Sequence, residues 1–219
     1  MNEKCFVIRN TVFYLPQVDE DCIQMSIRAC NNYWDMAAHR IIDKYLMDGA
    51  IILDIGANIG SHTLYWAKER KAKKIYSFEP FDMIYQILKT NVEINSLQNI
   101  VTTFNFGLSD EECKATKGHV FNRNLGSTKF LKKADGDVLL KTLDSLEIPE
   151  QIDLIKIDVE GAEVEVLKGA LKIIEKNKPI LVIESFTRKA ELEDVIFPLG
   201  YVQVDTIRQG EDYVYMYKG

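Results

Sequence analysis

The sequence predicts an α/β protein with a Rossmann-like, doubly wound and mostly parallel sheet. Three observations support this prediction. The apolar run 51–53 ends on Asp54 and leads through a glycine-punctuated turn into a helix-like segment, as strands do at the carboxyl edge of a parallel sheet. A second apolar run ends on Glu79, and the interval 79 − 54 = 25 residues suits one strand–helix–strand unit. A third run, 180–183, also ends on a carboxylate.

The N-terminal part is predicted to form two short strands and one helix. Residues 4–15 read as two strands around Asn10. Over 26–46 the apolar residues recur near helical spacing. This helix carries the Tyr-Trp-Asp run 33–35, whose aromatic pair either closes over a cofactor or belongs to the core. We therefore expect 1–48 to be an N-terminal extension that caps the site.

Strands and helices alternate through the main domain, 49–219. In chain order the predicted strands are 51–54, 75–78, 100–104, 138–143, 153–160, 179–184, 201–205 and 212–217, and the predicted helices are 61–68, 82–95, 161–177 and 188–199. The last two strands are joined across Gly210. We expect them to pair as an antiparallel hairpin that closes one edge of the sheet.

The turn after the first strand of this domain separates two kinds of nucleotide site. Gly56 and Gly60 let the backbone approach a ligand and let the helix pack on its strand, because neither has a Cβ. In a dinucleotide fingerprint the second glycine makes room for a pyrophosphate, but Asn58 takes that place here. The turn therefore favours a ligand without a phosphate, such as the amino-acid tail of S-adenosylmethionine at a helix N-terminus. The alternative is a tight turn that binds nothing.

Glu79 stands where an acidic residue reaches the ribose of a nucleoside ligand and accepts from its two hydroxyls. The alternative is a solvated carboxylate at a strand end. The polar turn 105–110, after the next strand, is placed to meet an adenine edge. The predicted cofactor-binding residues are Asp54, Gly56, Asn58, Gly60, Glu79, Pro80, Gly107 and Leu108.

The strand 153–160 carries charges that a central parallel strand normally lacks. Alternation along a strand puts Lys156, Asp158 and Glu160 on one face. Buried charges without a partner are costly, so we expect Lys156 to pair with Asp158. Asp158 and Glu160 should lie towards the carboxyl end, where ligands bind. A purely structural ion pair is the alternative.

Length and composition restrict the class of protein. The chain has 219 residues, 47% of them hydrophobic, enough for one domain with a sizeable core. A net charge of −6 argues against a nucleic-acid partner. The four cysteines and three histidines are scattered, which predicts reduced thiols and no metal centre. The N-terminus has no apolar leader, and no apolar run approaches the roughly 18 residues of a membrane span. We expect a cytoplasmic protein without a membrane span.

The segment 113–134 is basic, although the chain as a whole is acidic. It contains six lysines and arginines and no aspartate or glutamate. Such a run either holds an anionic acceptor or forms a solvated face. The polar residues within it suit a sugar or a simple turn; they are Asn122, Asn124, Gly126 and Ser127.

Several motifs occur in an order that is typical of one enzyme family. They are the runs 54–60 (DIGANIG), 78–80 (FEP), 91–95 (NVEIN), 107–110 (GLSD), 142–144 (TLD), 156–163 (KIDVEGAE) and 167–170 (LKGA). With these motifs, spread over roughly 49–217, the chain resembles the FkbM family of S-adenosylmethionine-dependent methyltransferases, which have the class I methyltransferase fold. The resemblance implies a seven-stranded sheet with one antiparallel strand and S-adenosylmethionine as cofactor. It also implies O-methylation of a hydroxyl on a sugar, glycolipid or natural product.

Methyl transfer to an alcohol requires an in-line acceptor oxygen and a base for one proton. Positioning can contribute about 7–11 kcal/mol, and a base contributes roughly 10²–10⁴ in rate. The predicted base, or acceptor-orienting group, is Asp158 or Glu160, with Lys156 holding Asp158 in place. His62 is the rival, because a helix N-terminus lowers its pKa and keeps it neutral.

Other functions stay open on the sequence alone. The chain could methylate an amine of nucleic acid or protein, or bind S-adenosylmethionine without catalysis. Carboxylates at 158 and 160 could also hold Mg²⁺ in a metal-assisted reaction. The expected partner is a small-molecule or glycan acceptor, for which the basic segment suggests an anionic group. The oligomeric state is open.

Overall fold

The computed structural model describes residues 4–120 and 128–219, which form one large sheet flanked by helices and two smaller sheets. The strands are β1 (Cys5–Ile8), β2 (Thr11–Tyr14), β3 (Ile51–Ile55), β4 (Lys74–Phe78), β5 (Val101–Phe104), β6 (Gly107–Leu108), β7 (Cys113–Val120), β8 (Thr128–Lys132), β9 (Val138–Lys141), β10 (Leu154–Ile157), β11 (Ile180–Glu184), β12 (Tyr201–Ile207) and β13 (Asp212–Tyr217). The helices are α1 (Cys22–Cys30), α2 (Met36–Ile42), α3 (Ser61–Lys68), α4 (Asp82–Ile94), α5 (Glu163–Lys168), α6 (Leu171–Asn177) and α7 (Lys189–Ile196).

The large sheet has seven strands in the order β12-β13-β11-β10-β3-β4-β5. Its strands run parallel except β13, which pairs antiparallel with both β11 and β12. This confirms the predicted mostly parallel sheet with an antiparallel C-terminal hairpin. The central strands β3 and β10 are buried along their whole length, because helices cover both faces of the sheet. The carboxyl ends of β3, β4, β10 and β11 consequently lie along one edge.

A four-stranded sheet, β6-β9-β7-β8, was not predicted from the sequence. Its strand β6 has only two residues, and β7 is largely polar, so neither gives a clear periodic signal. Phe130 of β8 stacks on Phe81, which follows β4, with the ring centroids 5.2 Å apart. This contact brings the smaller sheet to the carboxyl edge of the large one.

The predicted helix 26–46 is in fact two helices, α1 and α2. Asn31 ends α1 in the left-handed conformation, with φ 48°. Asp35, with φ 52°, begins α2 by accepting a hydrogen bond from the Ala38 N–H. The prediction of one helix was wrong because the apolar spacing continues across a break that these polar residues stabilise locally.

The predicted helix 161–177 and strand 153–160 are also shorter than expected. The helix divides into α5 and α6 at Gly169, where a Cβ would lie 1.9 Å from the Ser109 carbonyl oxygen. The backbone of this junction therefore packs directly against the loop after β6. The strand β10 ends at Ile157, so Asp158 and Glu160 belong to the turn that follows, in which Glu160 has φ 57°.

Within the described segments the longest helix, α4, has 13 residues. It and the other helices described are too short or too polar to cross a bilayer.

Candidate active site

A cleft opens above the carboxyl ends of β3, β4 and β10. Its first cavity has a volume of about 380 Å³. Polar groups come from Gly56, Glu79, Asp158 and Glu160, and the apolar lining comes mainly from Phe78, Pro80, Phe81, Leu108 and Phe130, next to Gly107. The structure thus brings most of the predicted cofactor residues to one cavity, together with two of the predicted catalytic carboxylates.

The turn after β3 packs closely against the turn after β10 and against α4. Gly56 (φ 78°), Asn58 (φ 51°) and Gly60 (φ 90°) all adopt left-handed conformations, which glycine tolerates without strain. A Cβ on Gly56 would lie 1.7 Å from the Asp158 carbonyl oxygen. A Cβ on Gly60 would lie 2.7 Å from Leu88 of α4. Close packing against the backbone therefore requires glycine at position 56, and the positive φ favours glycine at position 60. The approach of a ligand to these glycines stays a prediction.

Glu79 is held by the backbone on both of its carboxylate oxygens. The Asn58 and Phe81 N–H groups each donate to it at 3.0 Å. Burial raises the pKa of Glu79 to about 7, although the two N–H donors oppose this shift. Glu79 therefore lies in the cleft with a fixed orientation and titrates near neutral pH.

Asp54 lies beneath the turn, and no part of it reaches solvent. Thr63 of α3 donates to one of its oxygens at 2.6 Å, and the Lys156 Nζ is 3.6 Å from the other. Burial raises the pKa of Asp54 against the opposing charge of Lys156. Any effect of Asp54 on a ligand in the described structure therefore passes through Lys156 and the turn.

Lys156 is paired as the sequence predicts. Its Nζ lies 3.2 Å from the Asp158 carboxylate and donates to the Gly56 carbonyl oxygen at 3.2 Å. Burial alone would lower the pKa of Lys156, but the charges of Asp158 and Asp54 raise it. A charged lysine therefore joins the end of β10 to the glycine turn.

Asp158 and Glu184 form a hydrogen-bonded carboxyl pair at the ends of β10 and β11. Burial and the charge of Asp158 raise the pKa of Glu184 to about 10, so Glu184 holds the proton of the pair. Burial alone would also raise the pKa of Asp158. Lys156 and the hydrogen bond from Glu184 nevertheless hold it below its usual range. The pair is thus an ionised Asp158 beside a protonated Glu184.

Arg208, in the turn between β12 and β13, was missed by sequence reasoning. Its guanidinium makes a bidentate contact with Asp212, at 2.7 and 2.9 Å, and donates to Glu184 at 2.7 Å. It also lies 3.2 Å from Asp35, the residue that begins α2. Asp35 precedes Arg208 by 208 − 35 = 173 residues, so no local pattern could have indicated this contact.

A second cavity, of about 460 Å³, continues from the first. The two share Gly56, Glu79, Asp158 and Glu160. The additional lining comes from Ile23, Trp34, Asn58, Glu184 and Arg208. Two of these residues belong to the N-terminal extension, which therefore contributes to the site. The backbone N–H of Trp34 donates to the hydroxyl of Ser61, the first residue of α3, at 2.8 Å.

His62, the predicted rival base, lies in an aromatic cluster of α2 and α3. Its ring centroid is 4.6 Å from that of His39 and 5.5 Å from that of Trp66. Burial lowers the pKa of His62 well below its usual value, and nearby positive groups add to this effect. His62 is thus neutral for a different main reason from the helix dipole that the sequence suggested. Its low pKa makes it a poor proton acceptor.

Comparison with protein families identifies the class of this fold and cleft. Residues 54–211 match the model described as Methyltransferase FkbM domain. The chain belongs to the FkbM methyltransferase family. The matched region runs from Asp54 at the glycine turn to the hairpin that carries Arg208, so it includes both cavities except for their N-terminal wall.

The chain is also similar to two curated methyltransferases and to one solved structure. It is 31% identical over 159 residues to Methyltransferase sdnD of Sordaria araneosa, covering 57% of this chain and 61% of that protein. It is 22% identical over 182 residues to Hexuronic acid methyltransferase AglP of Haloferax volcanii, covering 77% of this chain and 72% of that protein. The structure of methyltransferase FkbM from Methylobacillus flagellatus KT aligns with a TM-score of 0.56 at 20% identity, over 78% of this chain and 44% of that chain. This chain therefore spans less than two thirds of sdnD and less than half of that FkbM chain.

Three carboxyl groups in this FkbM-family cleft lie close enough to bind one cation. Oxygen atoms of Asp158, Glu160 and Glu184 lie within 4.8 Å of one another. An all-oxygen set of this kind suits Mg²⁺ or Ca²⁺. Arg208 and the proton on Glu184 already offset part of the negative charge.

Two lysines of the basic segment lie beside acidic residues close to it in the sequence. Lys132 contacts Asp110 and Glu111, each at 2.8 Å, and Lys133 lies 3.3 Å from Asp135. None of these lysines lines the two cavities. Other residues of the predicted patch lie outside the described residues; they are Asn122, Arg123, Asn124, Gly126 and Ser127.

Proposed function

We propose that this FkbM-family methyltransferase moves a methyl group from S-adenosylmethionine to a hydroxyl of a sugar, glycolipid or natural product. One observation carries the proposal: Glu79 and the Asp158–Glu184 carboxyl pair line two cavities that share residues. A nucleoside and an acceptor can therefore occupy adjoining spaces. The sugar-acid acceptor in the name of the AglP relative supports a sugar as the acceptor class.

The residues of the first cavity fit S-adenosylmethionine chemically. A buried carboxylate that both backbone donors hold in place suits the two ribose hydroxyls, which donate to it. The apolar residues around Gly107 suit a purine ring, and a Cβ on Gly107 would lie 2.7 Å from Leu140 and 3.4 Å from Phe130. Negative charge at Asp158 suits a positively charged sulfonium. Asn58 and Gly60, at the start of α3, remain the proposed contacts of the amino-acid tail.

When bound, S-adenosylmethionine supplies an electrophilic methyl group. Glu79 fixes the nucleoside end, and the carboxylates beyond it orient the acceptor hydroxyl. Asp158 is the proposed base, because Lys156 and Glu184 keep it ionised and it lies in both cavities. It would accept the hydroxyl proton as the acceptor oxygen bonds to the methyl carbon and the bond from that carbon to the sulfonium sulfur breaks, with S-adenosylhomocysteine as the leaving group. Glu160, which lines both cavities, is the alternative base, and His62 is disfavoured because it lines neither of these two cavities.

The first experiment is a calorimetric titration of S-adenosylmethionine and S-adenosylhomocysteine into the protein. We expect both ligands to bind, and Asp158→Asn to retain binding of S-adenosylhomocysteine because Asp158 acts on the acceptor. A folded protein that binds neither ligand would contradict the proposal.

The second experiment measures methyl transfer from labelled S-adenosylmethionine to a panel of glycosides and hydroxylated natural products. The variants Asp158→Asn, Glu160→Gln and His62→Asn are compared on any acceptor found. A loss of roughly 10²–10⁴ in turnover should accompany removal of the base, and unchanged turnover in all three variants would rule out these assignments. Activity that disappears with a chelator and returns with Mg²⁺ would favour the metal-assisted alternative.

A further inference from the structure

The lining of the second cavity combines apolar and hydrogen-bonding residues. Ile23 and the half-buried Trp34 are apolar, and both come from the N-terminal extension. The hydrogen-bonding residues lie at strand ends and in the turn between β12 and β13, among them Asp158, Glu184 and Arg208. A sugar ring offers the matching combination, because its C–H faces are apolar and its hydroxyls project around the rim. An indole offers a large rigid surface to such a face.

The charges around this cavity are predominantly negative. The Lys156 ammonium contacts two carboxyl groups, those of Asp54 and Asp158. The Arg208 guanidinium contacts three more, those of Asp35, Glu184 and Asp212; these are all ion-pair distances of 3.2 Å or less. Carboxyl groups therefore outnumber cations in this network even when one proton is shared between Asp158 and Glu184.

Both cations are already paired with carboxyl groups. The Nε and Nη2 atoms of Arg208 are directed at carboxylates, with the shortest contacts at 2.7 Å. Lys156 is buried and divides its donors between Asp158 and the Gly56 carbonyl oxygen. Among residues 4–120 and 128–219, Arg208 is the cationic side chain that lines the second cavity. Lys156 lines a smaller adjoining cavity, which shares Asp158, Glu184 and Arg208 with the second one. An acceptor carboxylate would have to displace one of these contacts or lie next to like charges.

The chemistry of the reaction also distinguishes a hydroxyl acceptor from a carboxylate acceptor. A carboxylate acceptor is already ionised, so it needs no base and would be favoured by spare cations. A hydroxyl acceptor is neutral and donates its proton to a base, and ionised carboxylates are acceptors of that kind. The second cavity offers the base, and the cations beside it are already paired with carboxyl groups.

We infer that the second cavity selects a hydroxylated ring that carries no carboxylate, with Trp34 as its apolar platform and the Asp158–Glu184 pair as the group that rejects acidic acceptors. This inference rests on the proposed methyltransferase function and specifies its substrate class. It also opposes the anionic acceptor that the basic segment 113–134 suggested, and it gives this chain an acceptor different from the hexuronic acid in the name of the AglP relative. The occupant is a neutral glycoside or a similar polyol, and the transferred methyl group ends on one of its hydroxyl oxygens.

The test uses matched pairs of probes on the protein saturated with S-adenosylhomocysteine. The methyl glycosides of glucose, galactose and mannose are compared with the corresponding methyl uronates by calorimetry or saturation-transfer NMR. At low salt we expect at least one neutral glycoside to bind and its uronate to bind at least about tenfold more weakly. The gap in affinity between glycoside and uronate should narrow as salt is added, because screening weakens repulsion between exposed charges.

Three variants connect the result to the named residues. Trp34→Ala should lose glycoside binding about tenfold or more, and Trp34→Phe should retain most of it. Asp158→Asn, which removes the ionised carboxylate of the pair, should narrow the gap in affinity between glycoside and uronate. Glu175→Gln is the matched control: Glu175 is exposed on α6, before β11, at the opposite end of that strand from the cleft, and its removal should leave the gap unchanged.

The outcomes separate this inference from the proposed function. Uronates that bind as tightly as glycosides would overturn the inference, and so would a failure of every glycoside to bind a protein that still binds S-adenosylhomocysteine. Uronate binding that appears only with added Mg²⁺ would also overturn it and would point to a cation at Asp158, Glu160 and Glu184. Failure to bind S-adenosylmethionine or S-adenosylhomocysteine at all would instead contradict the proposed function.

Discussion

Glu79 gives cofactor binding a specific dependence on pH. Its pKa of about 7 means that the free protein near neutral pH carries a mixture of ionised and protonated carboxyl groups. Only the ionised form accepts from both ribose hydroxyls, and apparent affinity scales with the competent fraction. The apparent Kd for S-adenosylmethionine should therefore be about tenfold higher at pH 6 than at pH 8 and level at higher pH. Calorimetric titrations across this range measure it.

Two variants show whether Glu79 is the titrating group. Glu79→Gln loses a charge-assisted interaction of about 1.5–3 kcal/mol, so affinity should fall roughly 10–100-fold and its pH dependence should disappear. Glu93→Gln removes an exposed carboxylate of α4 and should change neither property. If the affinity of Glu79→Gln for S-adenosylmethionine still changed with pH as it does in the intact protein, another group in the cleft would be responsible.

Lys156 should matter for stability more than an ordinary surface lysine does. Replacing it in Lys156→Met leaves Asp54 fully buried without its counter-charge, which typically costs about 3–5 kcal/mol. Loss of the lysine also raises the folded-state pKa of Asp54 further. The loss in the free energy of unfolding should therefore grow as the pH rises above the pKa of Asp54 in the unfolded chain, and it should shrink as the pH falls. Urea unfolding at pH 5 and pH 8 measures both effects.

A second substitution tests the assignment of that loss to the buried charge. Asp54→Asn in the Lys156→Met background removes the unpaired carboxylate, so it should recover part of the lost stability. A double variant no more stable than Lys156→Met, with no difference between the two pH values, would show that lost packing explains the effect.

The local residues of the site could be predicted from the sequence, and the long-range ones could not. Gly56 and Glu79 follow apolar runs directly, so the position of each on its strand indicates its place at the carboxyl edge. Glu184 was predicted as a strand-end carboxylate, but its pairing with Asp158 depends on the neighbouring positions of β10 and β11. Arg208 and Trp34 reach the cleft only through tertiary packing, for which no spacing rule exists.

At the scale of elements, the junction between α5 and α6 connects packing to the cofactor cavity. Gly169 has an ordinary negative φ, so the backbone conformation does not require glycine there. Glycine is required because a Cβ would collide with the Ser109 carbonyl oxygen. Gly169→Ala should push this loop away, destabilise the protein by about 1–3 kcal/mol and weaken cofactor binding, because Gly107 and Leu108 precede Ser109 in the cavity lining. Thermal unfolding and calorimetry measure the two effects.

Gly49 provides the matched glycine control. It precedes β3, at the opposite end from the cleft, and has open space around it but φ 78°. Gly49→Ala should cost stability of about 1–2 kcal/mol through backbone strain without changing cofactor affinity. Equal losses of affinity in both variants would mean that global destabilisation, and not movement of the Ser109 loop, weakens binding.

The elements of the large sheet were predictable because each strand is a short apolar run bounded by polar residues. The breaks between α1 and α2 and between α5 and α6 were not, since the apolar period continues through both. The four-stranded sheet was missed because its strands are stabilised by contacts with one another and with Phe81 more than by a regular pattern of their own.

At the scale of the whole molecule, the N-terminal extension shares one core with the methyltransferase domain. Phe13 and Tyr33 belong to the same buried cluster as Leu64 and Trp66 of α3. Polar contacts reinforce this: Asn91 of α4 accepts from a backbone N–H of β2 and donates to the Ile59 carbonyl oxygen in the glycine turn. The extension is thus connected to both the core and the cofactor turn.

Removing 1–48 should therefore prevent folding as well as open the site. The segment contributes several fully buried apolar side chains, among them Phe13, Leu15, Ile27 and Ile42. Each contributes about 1.5–3 kcal/mol, so their combined loss approaches the whole stability of about 5–15 kcal/mol of a typical domain. We expect 49–219 alone to show no cooperative thermal transition by circular dichroism and no S-adenosylmethionine binding. Adding 1–48 as a separate fragment should restore part of both, because it supplies the missing part of the core. A truncated chain that melts cooperatively and binds the cofactor would show that the extension serves the acceptor cavity alone.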